Sequence, residues 1–159
     1  MTRAIGDLQS AFLSPDQVAA SAEVMGLDTQ LIADGTYFAA EIDGQIAGCG
    51  GWSRRATLFG GDHSARLRDP RLLDPMHEAA RIRAMYSDPA FVRRGVGRAI
   101  LARCEADARD AGFREAEMMA TLAGEPLYRA CGYHPIENVA VVTSSGIEVP
   151  MLRMGKTLA

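Results

Sequence analysis

The sequence is poor in lysine: its 159 residues contain one lysine, Lys156, against sixteen arginines. The formal net charge is −3, so the chain lacks the broadly basic surface with which proteins bind nucleic acids or anionic membranes. It also lacks an apolar run of the roughly 18 residues that suggest a membrane span, and residues 1–10 contain no signal-peptide core. We therefore expect a cytoplasmic protein with no nucleic-acid or membrane partner.

Cysteine and histidine are scarce as well, with three residues of each type. Cys49, Cys104 and Cys131 are an odd number without metal-ligand spacing, which predicts buried thiols rather than a disulfide framework or a zinc site. The histidines show neither helical pairing nor a carboxylate at ligand spacing. The sequence therefore predicts no metal centre, and we assign no role to His77 or His134.

The remaining composition is ordinary for a globular protein, with 48% hydrophobic and 23% charged residues. The length is that of one domain. Repeats, low-complexity tracts and linkers are absent from the sequence. We therefore expect a single domain that spans residues 1–159.

The first half of the chain predicts two helices followed by a β-hairpin. A favourable helix start at Ser14-Pro15 precedes apolar residues at helical spacing up to Gly26, and a second short helix follows. Two strand-like runs then flank Asp43-Gly44, a dipeptide typical of two-residue hairpin turns. The stretch from Ser53 to Ala79, with adjacent glycines and two prolines, predicts a long functional or mobile loop.

The middle of the chain predicts a β-α-β unit. Residues 81–86 alternate as a strand does, and Asp88-Pro89 ends the pattern. From Val96 the apolar residues recur every three to four positions, and Gly112 is placed to end that helix. Residues 116–120 alternate again, which predicts a second strand parallel to the first.

The last third predicts a short helix and a second hairpin. The helix covers residues 125–131 and ends at Gly132, and the hairpin pairs residues 139–143 with residues 147–154. The order of elements indicates an α/β (α+β) protein. Its mixed central sheet would combine antiparallel N-terminal strands with the parallel β-α-β unit.

The segment between the strand and the helix of that unit, RRGVGR at residues 93–98, has the composition of an anion site. Free N–H groups at a helix start attract anions, and glycines let the backbone approach a phosphate closely. Five of the sixteen arginines fall within residues 81–98, although the chain as a whole is acidic. The pattern therefore predicts a polyphosphate ligand.

The spacing of this segment excludes one phosphate-binding motif and weakens another. A P-loop is excluded because Gly155-Lys156-Thr157 has no glycine five residues earlier. A dinucleotide fingerprint would need glycine or alanine at the position of Ile100, although Glu115 stands where a ribose-binding acid belongs. A nicotinamide-dependent oxidoreductase is therefore a third and weaker interpretation.

Two segments carry a more specific pattern. Residues 86–101, YSDPAFVRRGVGRAIL, resemble the coenzyme A-binding motif of the GNAT N-acetyltransferases: a strand, a Pro-containing loop, the signature Q/R-x-x-G-x-G/A and a helix. Residues 127–133, LYRACGY, are similar to the family's second signature, a tyrosine four residues before a glycine that an aromatic residue follows. The resemblance covers about Gly35 to Arg153, and it implies the GNAT acyl-CoA N-acyltransferase fold.

The resemblance implies that acetyl-CoA is the cosubstrate, without a metal. Acetyl would pass to a primary amine of a small molecule or peptide by direct attack in a ternary complex. A strand edge would bind the pantetheine amides and orient the acetyl carbonyl, and backbone amides of the helix start would hold the pyrophosphate. The strand-edge residues are Met85, Tyr86 and Ser87, and those of the helix start are Arg93, Arg94, Gly95, Val96, Gly97 and Arg98.

Tyr128 matches the family's general acid, which protonates the departing thiolate. A phenol with an ordinary pKa of about 10 is protonated at neutral pH, as an acid must be. The general base is less determined: Glu117 is our first candidate, with Glu78 and His63 left open. A nonenzymatic acetyl-CoA sensor is the alternative function, and Tyr128 argues against it because binding alone needs no phenol there.

The sequence departs from the family pattern at three places. Val92 stands where the signature has Gln or Arg, so one side-chain contact is missing. Residues 4–12 fit a helix end better than the family's first strand, which is therefore absent, short or supplied by a partner chain. The connection from Ser53 to Ala79 is longer than usual, and we expect it to determine acceptor specificity. We also expect a homodimer, formed through the C-terminal hairpin or the N-terminus.

Overall fold

A computed structural model describes residues 2–159. Its α-helices are α1 (Thr2–Gln9), α2 (Pro15–Ser21), α3 (Thr29–Ala33), α4 (Val96–Asp110) and α5 (Glu125–Ala130). Its strands are β1 (Tyr37–Ile42), β2 (Gln45–Ser53), β3 (Ala80–Ser87), β4 (Glu115–Thr121), β5 (His134–Val142) and β6 (Glu148–Thr157). None of the helices in this described part is long and apolar enough to cross a bilayer.

The six strands form one mixed sheet in the order β1-β2-β3-β4-β6-β5. Only β3 and β4 run parallel, and α4 connects them. The structure therefore confirms the predicted α/β class with antiparallel N-terminal strands and a parallel β-α-β unit. Apolar residues cover both faces: Leu101 and Cys104 of α4 pack with Ile82 on one face, and Val149 and Met151 lie in a second cluster with Leu13 and Val24.

The first hairpin and the long helix follow the sequence prediction closely. Asp43 and Gly44 adopt φ angles of 51° and 77°, the left-handed conformation that a type I′ turn requires at both central residues. Helix α4 begins at Val96, and Gly112 follows its end with a φ of 94°. Glycine is favoured there because a side chain would strain this conformation.

Helix α2 is shorter than its apolar spacing predicted, since it ends at Ser21 rather than near Gly26. The Ser21 hydroxyl donates a 2.7 Å hydrogen bond to the Val18 carbonyl, which competes with the helical pattern. After Ser21 the backbone hydrogen bonds span three residues instead of four, as in the 3.1 Å bond from Val24 N to Ser21 O.

Strand β5 is longer than predicted, because it begins at His134 rather than at Val139. Proline is uncommon in strands, so Pro135 argued against a strand in this part of the sequence. The proline is tolerated because β5 is an edge strand, and the pairing with β6 shifts register between Pro135 and Glu137.

The N-terminal segment is the helix α1, and within residues 2–159 no strand precedes β1. The expectation that a helix occupies this segment is confirmed. A strand supplied by a partner chain, the homodimer, the single-domain organisation and the cytoplasmic location all stay predictions.

The long loop between β2 and β3 is tied to the body of the protein by ion pairs. Arg55 binds Asp34 at 2.8 Å, and Arg68 binds Asp28 at 3.0 Å. Asp28 is fully buried and also lies 2.6 Å from the Arg83 guanidinium of β3. Several of the arginines to which the sequence assigned no role therefore hold the loop in place.

Candidate active site

A β-bulge in β3 creates the site. Cys49 of β2 lies opposite Tyr86, but Gly51 lies opposite Arg83, so two residues of β3 occupy the space across from one residue of β2. The extra residue is Ala84, which has a φ of 51° although it is not glycine. A bulge of this kind bends the strand, and it moves the side chains that follow it to the opposite face of the sheet.

Strands β3 and β4 pair at only two positions, of which Arg81 with Glu117 is the last. Beyond that pair, β3 continues beside β2 to Ser87, and β4 continues beside β6 to Thr121. In the described chain, the β3 edge that includes Met85 and Ser87 therefore has no strand partner on the β4 side. Free backbone groups at this edge can pair with amide groups of a ligand.

A cavity of about 580 Å³ opens at this gap. Its wall brings together the strand edge, the glycine-rich turn before α4, helix α1 and helix α5. The residues of the sequence prediction that line it are Met85, Tyr86, Ser87, Arg93, Gly95, Val96, Gly97, Arg98 and Tyr128. The two predicted residues that do not line it are Arg94 and Glu117.

The turn before α4 presents free N–H groups to the cavity. Arg93 and Gly95 have φ angles of 62° and 81°, which curl the backbone into the helix start. The helix's first hydrogen bond runs from Ala99 N to Gly95 O at 2.9 Å. The amides of Val96, Gly97 and Arg98 precede it, so they lack helical acceptors and suit an anion.

The three arginines of the turn divide into two groups. Arg93 and Arg98 line the cavity, and both residues are exposed. Arg94 instead lies over the ring of Phe91, with its guanidinium carbon 5.5 Å from the ring centroid. This is a cation–π contact, and it leaves the charge of Arg94 outside the residues that line the cavity.

Tyr128 of α5 stands at the inner wall and is only 8% exposed. Gly124 leaves room for the ring, because a Cβ there would lie 2.8 Å from Tyr128 Cε2. Tyr133 contacts the ring edge-on at 6.2 Å between centroids. Burial raises the pKa of Tyr128 well above its ordinary value, because desolvation disfavours the phenolate.

A second cavity of about 80 Å³ adjoins the first. The two share Met25, Met85, Tyr86, Thr121 and Tyr128. The long loop contributes residues 58–60, near its start, to the wall of the second cavity. Tyr128 therefore stands between a large cavity beside the glycine-rich turn and a small one beside the loop.

None of the base candidates is among the described residues that line either cavity. Glu117 Oε2 accepts hydrogen bonds from Arg81 Nη1 at 2.5 Å and from Arg153 Nη2 at 2.8 Å. The Arg71 guanidinium binds Glu78 and lowers the pKa of that carboxyl to about 2. His63 is exposed and its Nε2 lies 2.8 Å from the Ala22 carbonyl. The base therefore stays a prediction.

Sequence reasoning missed the contribution of α1 to the site. Ala4 and Leu8 of α1 line the large cavity, together with Phe12 beyond the end of α1, Met25 and Leu127. The spacing of four residues between Ala4 and Leu8 places them on one face of the helix. That spacing was the available signal, but it did not indicate what the face covers.

The comparisons with known proteins agree with this geometry. The acetyltransferase (GNAT) family profile matches residues 4–133, and no curated protein matches the sequence. Among solved structures, a GCN5-related N-acetyltransferase from Rhodopseudomonas palustris is 19% identical with a TM-score of 0.68, over 99% of this chain and 84% of that one.

Two further structures are similar in fold and were solved with ligands. The yncA protein of Salmonella typhimurium, with acetyl-CoA, is 18% identical with a TM-score of 0.57, over 77% of this chain and 64% of that one. An aminoglycoside 6'-N-acetyltransferase complexed with coenzyme A is 10% identical with a TM-score of 0.59, over 99% of this chain and 91% of that one. The profile match covers most of the sequence, and the chain belongs to the acetyltransferase (GNAT) family.

Proposed function

We propose that the protein transfers acetyl from acetyl-CoA to a primary amine, by direct attack of the amine in a ternary complex. The observation that carries the proposal is the position of Tyr128, at the wall shared by the two adjoining cavities. The large cavity would take the cosubstrate, and the small one would take the acceptor. The ligands in the two related structures, acetyl-CoA and coenzyme A, support this choice of cosubstrate.

The cosubstrate would bind along two elements of this chain. The free amides of Val96, Gly97 and Arg98 would hold the pyrophosphate, with Arg93 and Arg98 adding positive charge. The unpaired edge of β3 from Met85 to Ser87 would bind the pantetheine amides. Such binding places the thioester where β3 and β4 separate, and it removes most of the entropic cost of bringing the two reactants together.

The reaction forms a C–N bond and breaks a C–S bond. The amine nitrogen attacks the acetyl carbonyl carbon, and a backbone N–H of the β3 edge would stabilise the oxyanion. The thiolate then leaves and takes the Tyr128 proton, while the nitrogen loses its proton to a base or to water. Because burial raises the pKa of Tyr128, the hydroxyl stays protonated at neutral pH and can serve as the acid.

Glu117 is retained as the first candidate for the base, but its contacts favour another role. Two arginines already donate hydrogen bonds to Oε2 of Glu117. The backbone of Glu117 also lies opposite Arg81 in the last residue pair between β3 and β4. We infer that Glu117 is a positioning residue, which holds the two strands together directly before they separate.

The proposal is tested by calorimetric titration with acetyl-CoA and by thiol release in the presence of amines. We expect acetyl-CoA to bind and NAD to produce no heat. Thiol release should depend on the amine. Binding of acetyl-CoA without amine-dependent release from any acceptor would indicate the sensor instead, and binding of NAD alone would indicate the oxidoreductase.

A further inference from the structure

The small cavity beside Tyr128 has an unusual lining. Five of the eight methionines of the chain contribute to it. They are Met25, Met85, Met118, Met119 and Met151. Phe59 of the long loop adds an aromatic ring. Methionine sulfur is polarisable and makes favourable contacts with aromatic rings, so this lining suits a flat aromatic group.

The size of the cavity limits its occupant. A cavity of about 150 Å³ holds a benzene ring, so a cavity of about 80 Å³ takes the far edge of a single ring. The amine-bearing edge of that ring would lie in the adjoining large cavity, beside the thioester. An aminoglycoside, with several rings, is too bulky for this space.

The charges around the cavity disfavour a cationic amine. Among the described residues that line it, the only charged side chain is the guanidinium of Arg83, which is 2% exposed. Arg83 is paired with Asp28 at 2.6 Å, so the wall offers no uncompensated charge, and an unpaired ammonium group buried there would lose its hydration at a high free-energy cost. Aspartate, glutamate and histidine are absent from this lining, so no side chain of the wall is available to neutralise or deprotonate an ammonium.

Three acids that contact or adjoin residues of this lining are already bound. Asp28 forms ion pairs with Arg83 and Arg68, and Glu117 forms ion pairs with Arg81 and Arg153. Glu23, next to the cavity residue Val24, accepts hydrogen bonds from the Ser144 backbone N–H and hydroxyl. The local environment therefore favours an amine that reaches the site without a charge.

We propose that the acceptor is a primary arylamine. This inference rests on the proposed acetyl transfer and names its acceptor class. In an arylamine the nitrogen lone pair is delocalised into the ring, so the nitrogen is largely neutral at pH 7 and needs no side-chain base before it attacks. The ring would lie among the methionines, and the nitrogen would point towards the thioester next to Tyr128.

The test compares aniline with benzylamine, cyclohexylamine and spermidine as acceptors in acetyl-CoA-dependent thiol release. Benzylamine keeps the ring but is protonated at pH 7, and cyclohexylamine keeps the size without the aromatic ring. We expect kcat/KM for aniline to be at least about tenfold higher than for the other three. A preference for benzylamine or spermidine would overturn the inference and leave acetyl transfer established.

A binding measurement separates failure of the inference from failure of the proposed function. Saturation transfer from the protein to the aniline ring protons is measured by NMR in the presence of coenzyme A. We expect transfer to aniline and none to spermidine. If coenzyme A itself does not bind, the proposed function fails, and if coenzyme A binds but aniline does not, the inference alone fails.

A matched pair of variants locates the selectivity. Met25 lies in the segment between α2 and α3 and lines both cavities. Met25→Glu places a carboxylate in the wall and should lower the aniline-to-benzylamine ratio of kcat/KM by about tenfold. Met76→Glu is the control, because Met76 is 59% exposed and lines neither cavity. An unchanged ratio in Met25→Glu would contradict the assignment of this cavity to the acceptor.

Discussion

Arg81 and Glu117 form both the last backbone pair of the parallel β3–β4 ladder and a side-chain ion pair, with Nη1 and Oε2 2.5 Å apart. Arg153 of β6 binds the same carboxylate at 2.8 Å. The cluster therefore joins three neighbouring strands at the point where the sheet opens. An ion pair in this position resists further separation of β3 from β4, and so it determines where the cavity begins.

The first prediction concerns the stability that this cluster provides. Glu117→Gln leaves two guanidinium groups without a charged partner. Removing one member of a buried pair costs 3–5 kcal/mol, and we expect about 2 kcal/mol here because both side chains keep some exposure, 15% and 17%. Urea denaturation measures the change in the free energy of unfolding.

The control for this measurement is Glu125→Gln. Glu125 pairs with Arg129 one helical turn away, at 2.7 Å and with the arginine 52% exposed. Surface pairs of this kind contribute about 0.5 kcal/mol or less. Equal losses in the two variants would show that the Glu117 cluster does not hold the strands.

The second prediction separates positioning from base catalysis at Glu117. A positioning role predicts that Glu117→Gln raises KM for acetyl-CoA while the pH profile of kcat/KM keeps its shape. A base at this position predicts that kcat falls and that the acid limb of the profile disappears. The pH profile of the variant, measured with a saturating acceptor, decides between the two.

The third prediction concerns the hydroxyl of Tyr128. Tyr128→Phe keeps the ring packed against Tyr133, so we expect the melting temperature and the Kd of acetyl-CoA to change little. Loss of the acid should lower kcat by about 100-fold. Since burial raises the pKa of Tyr128, the wild-type protein should show no loss of rate from its ionisation below pH 10. Full activity of Tyr128→Phe would remove its catalytic role.

The fourth prediction distinguishes the arginines of the turn. Arg93→Ala and Arg98→Ala each remove a charge at the cavity and should weaken binding of coenzyme A about tenfold, which corresponds to one charge-assisted hydrogen bond. Arg94→Ala is the matched control, because Arg94 does not line the cavity and stacks on Phe91. Calorimetry at two salt concentrations should show a smaller salt dependence in the first two variants only.

The fifth prediction concerns stability in alkali. Burial raises the pKa of Tyr86, Tyr128 and Tyr133 in the folded protein, whereas these groups ionise near pH 10 when unfolded. Above that pH the unfolded chain binds fewer protons, so the free energy of unfolding falls as the pH rises. Each tyrosine contributes a slope of about 1.4 kcal/mol per pH unit until its folded pKa is reached.

Chemical denaturation at pH 9, 10 and 11 measures this slope. Burial also raises the pKa of Cys104 to about 12, so some loss begins below pH 10. Replacing Tyr133 with Phe should reduce the slope by the contribution of one tyrosine. A free energy of unfolding that does not change between pH 9 and pH 11 would contradict the burial of these groups.

Much of the fold could be predicted from the sequence because its signals are local. Asp43-Gly44 specifies a turn through backbone conformations that few residues adopt, and Gly112 ends α4 for the same reason. The glycine-rich turn is also a local signal, since the helix start supplies its own free amides. These features depend on neighbours in sequence, and the structure confirms the turn at Asp43-Gly44 and the end of α4.

The parts of the site that could not be predicted depend on contacts between distant residues. The bulge at Ala84 has no sequence signal, because alanine has no preference for a positive φ. Arg94 has the same side chain as Arg93 and Arg98, and only the folded turn shows that Arg94 lies over Phe91 and does not line the cavity. Glu117 is an unremarkable strand residue until Arg81 and Arg153 meet it from the neighbouring strands.

The sequence by itself determined the class of fold, the glycine-rich turn before α4 and the excess of arginine over lysine. Tertiary structure alone decided what several of those arginines do: Arg55, Arg68, Arg81 and Arg83 each bind a carboxylate. The physical reason is that an ion pair depends on distance in space, which spacing along the chain does not specify. Only the folded chain also brings five methionines around one small cavity, and thereby suggests the acceptor.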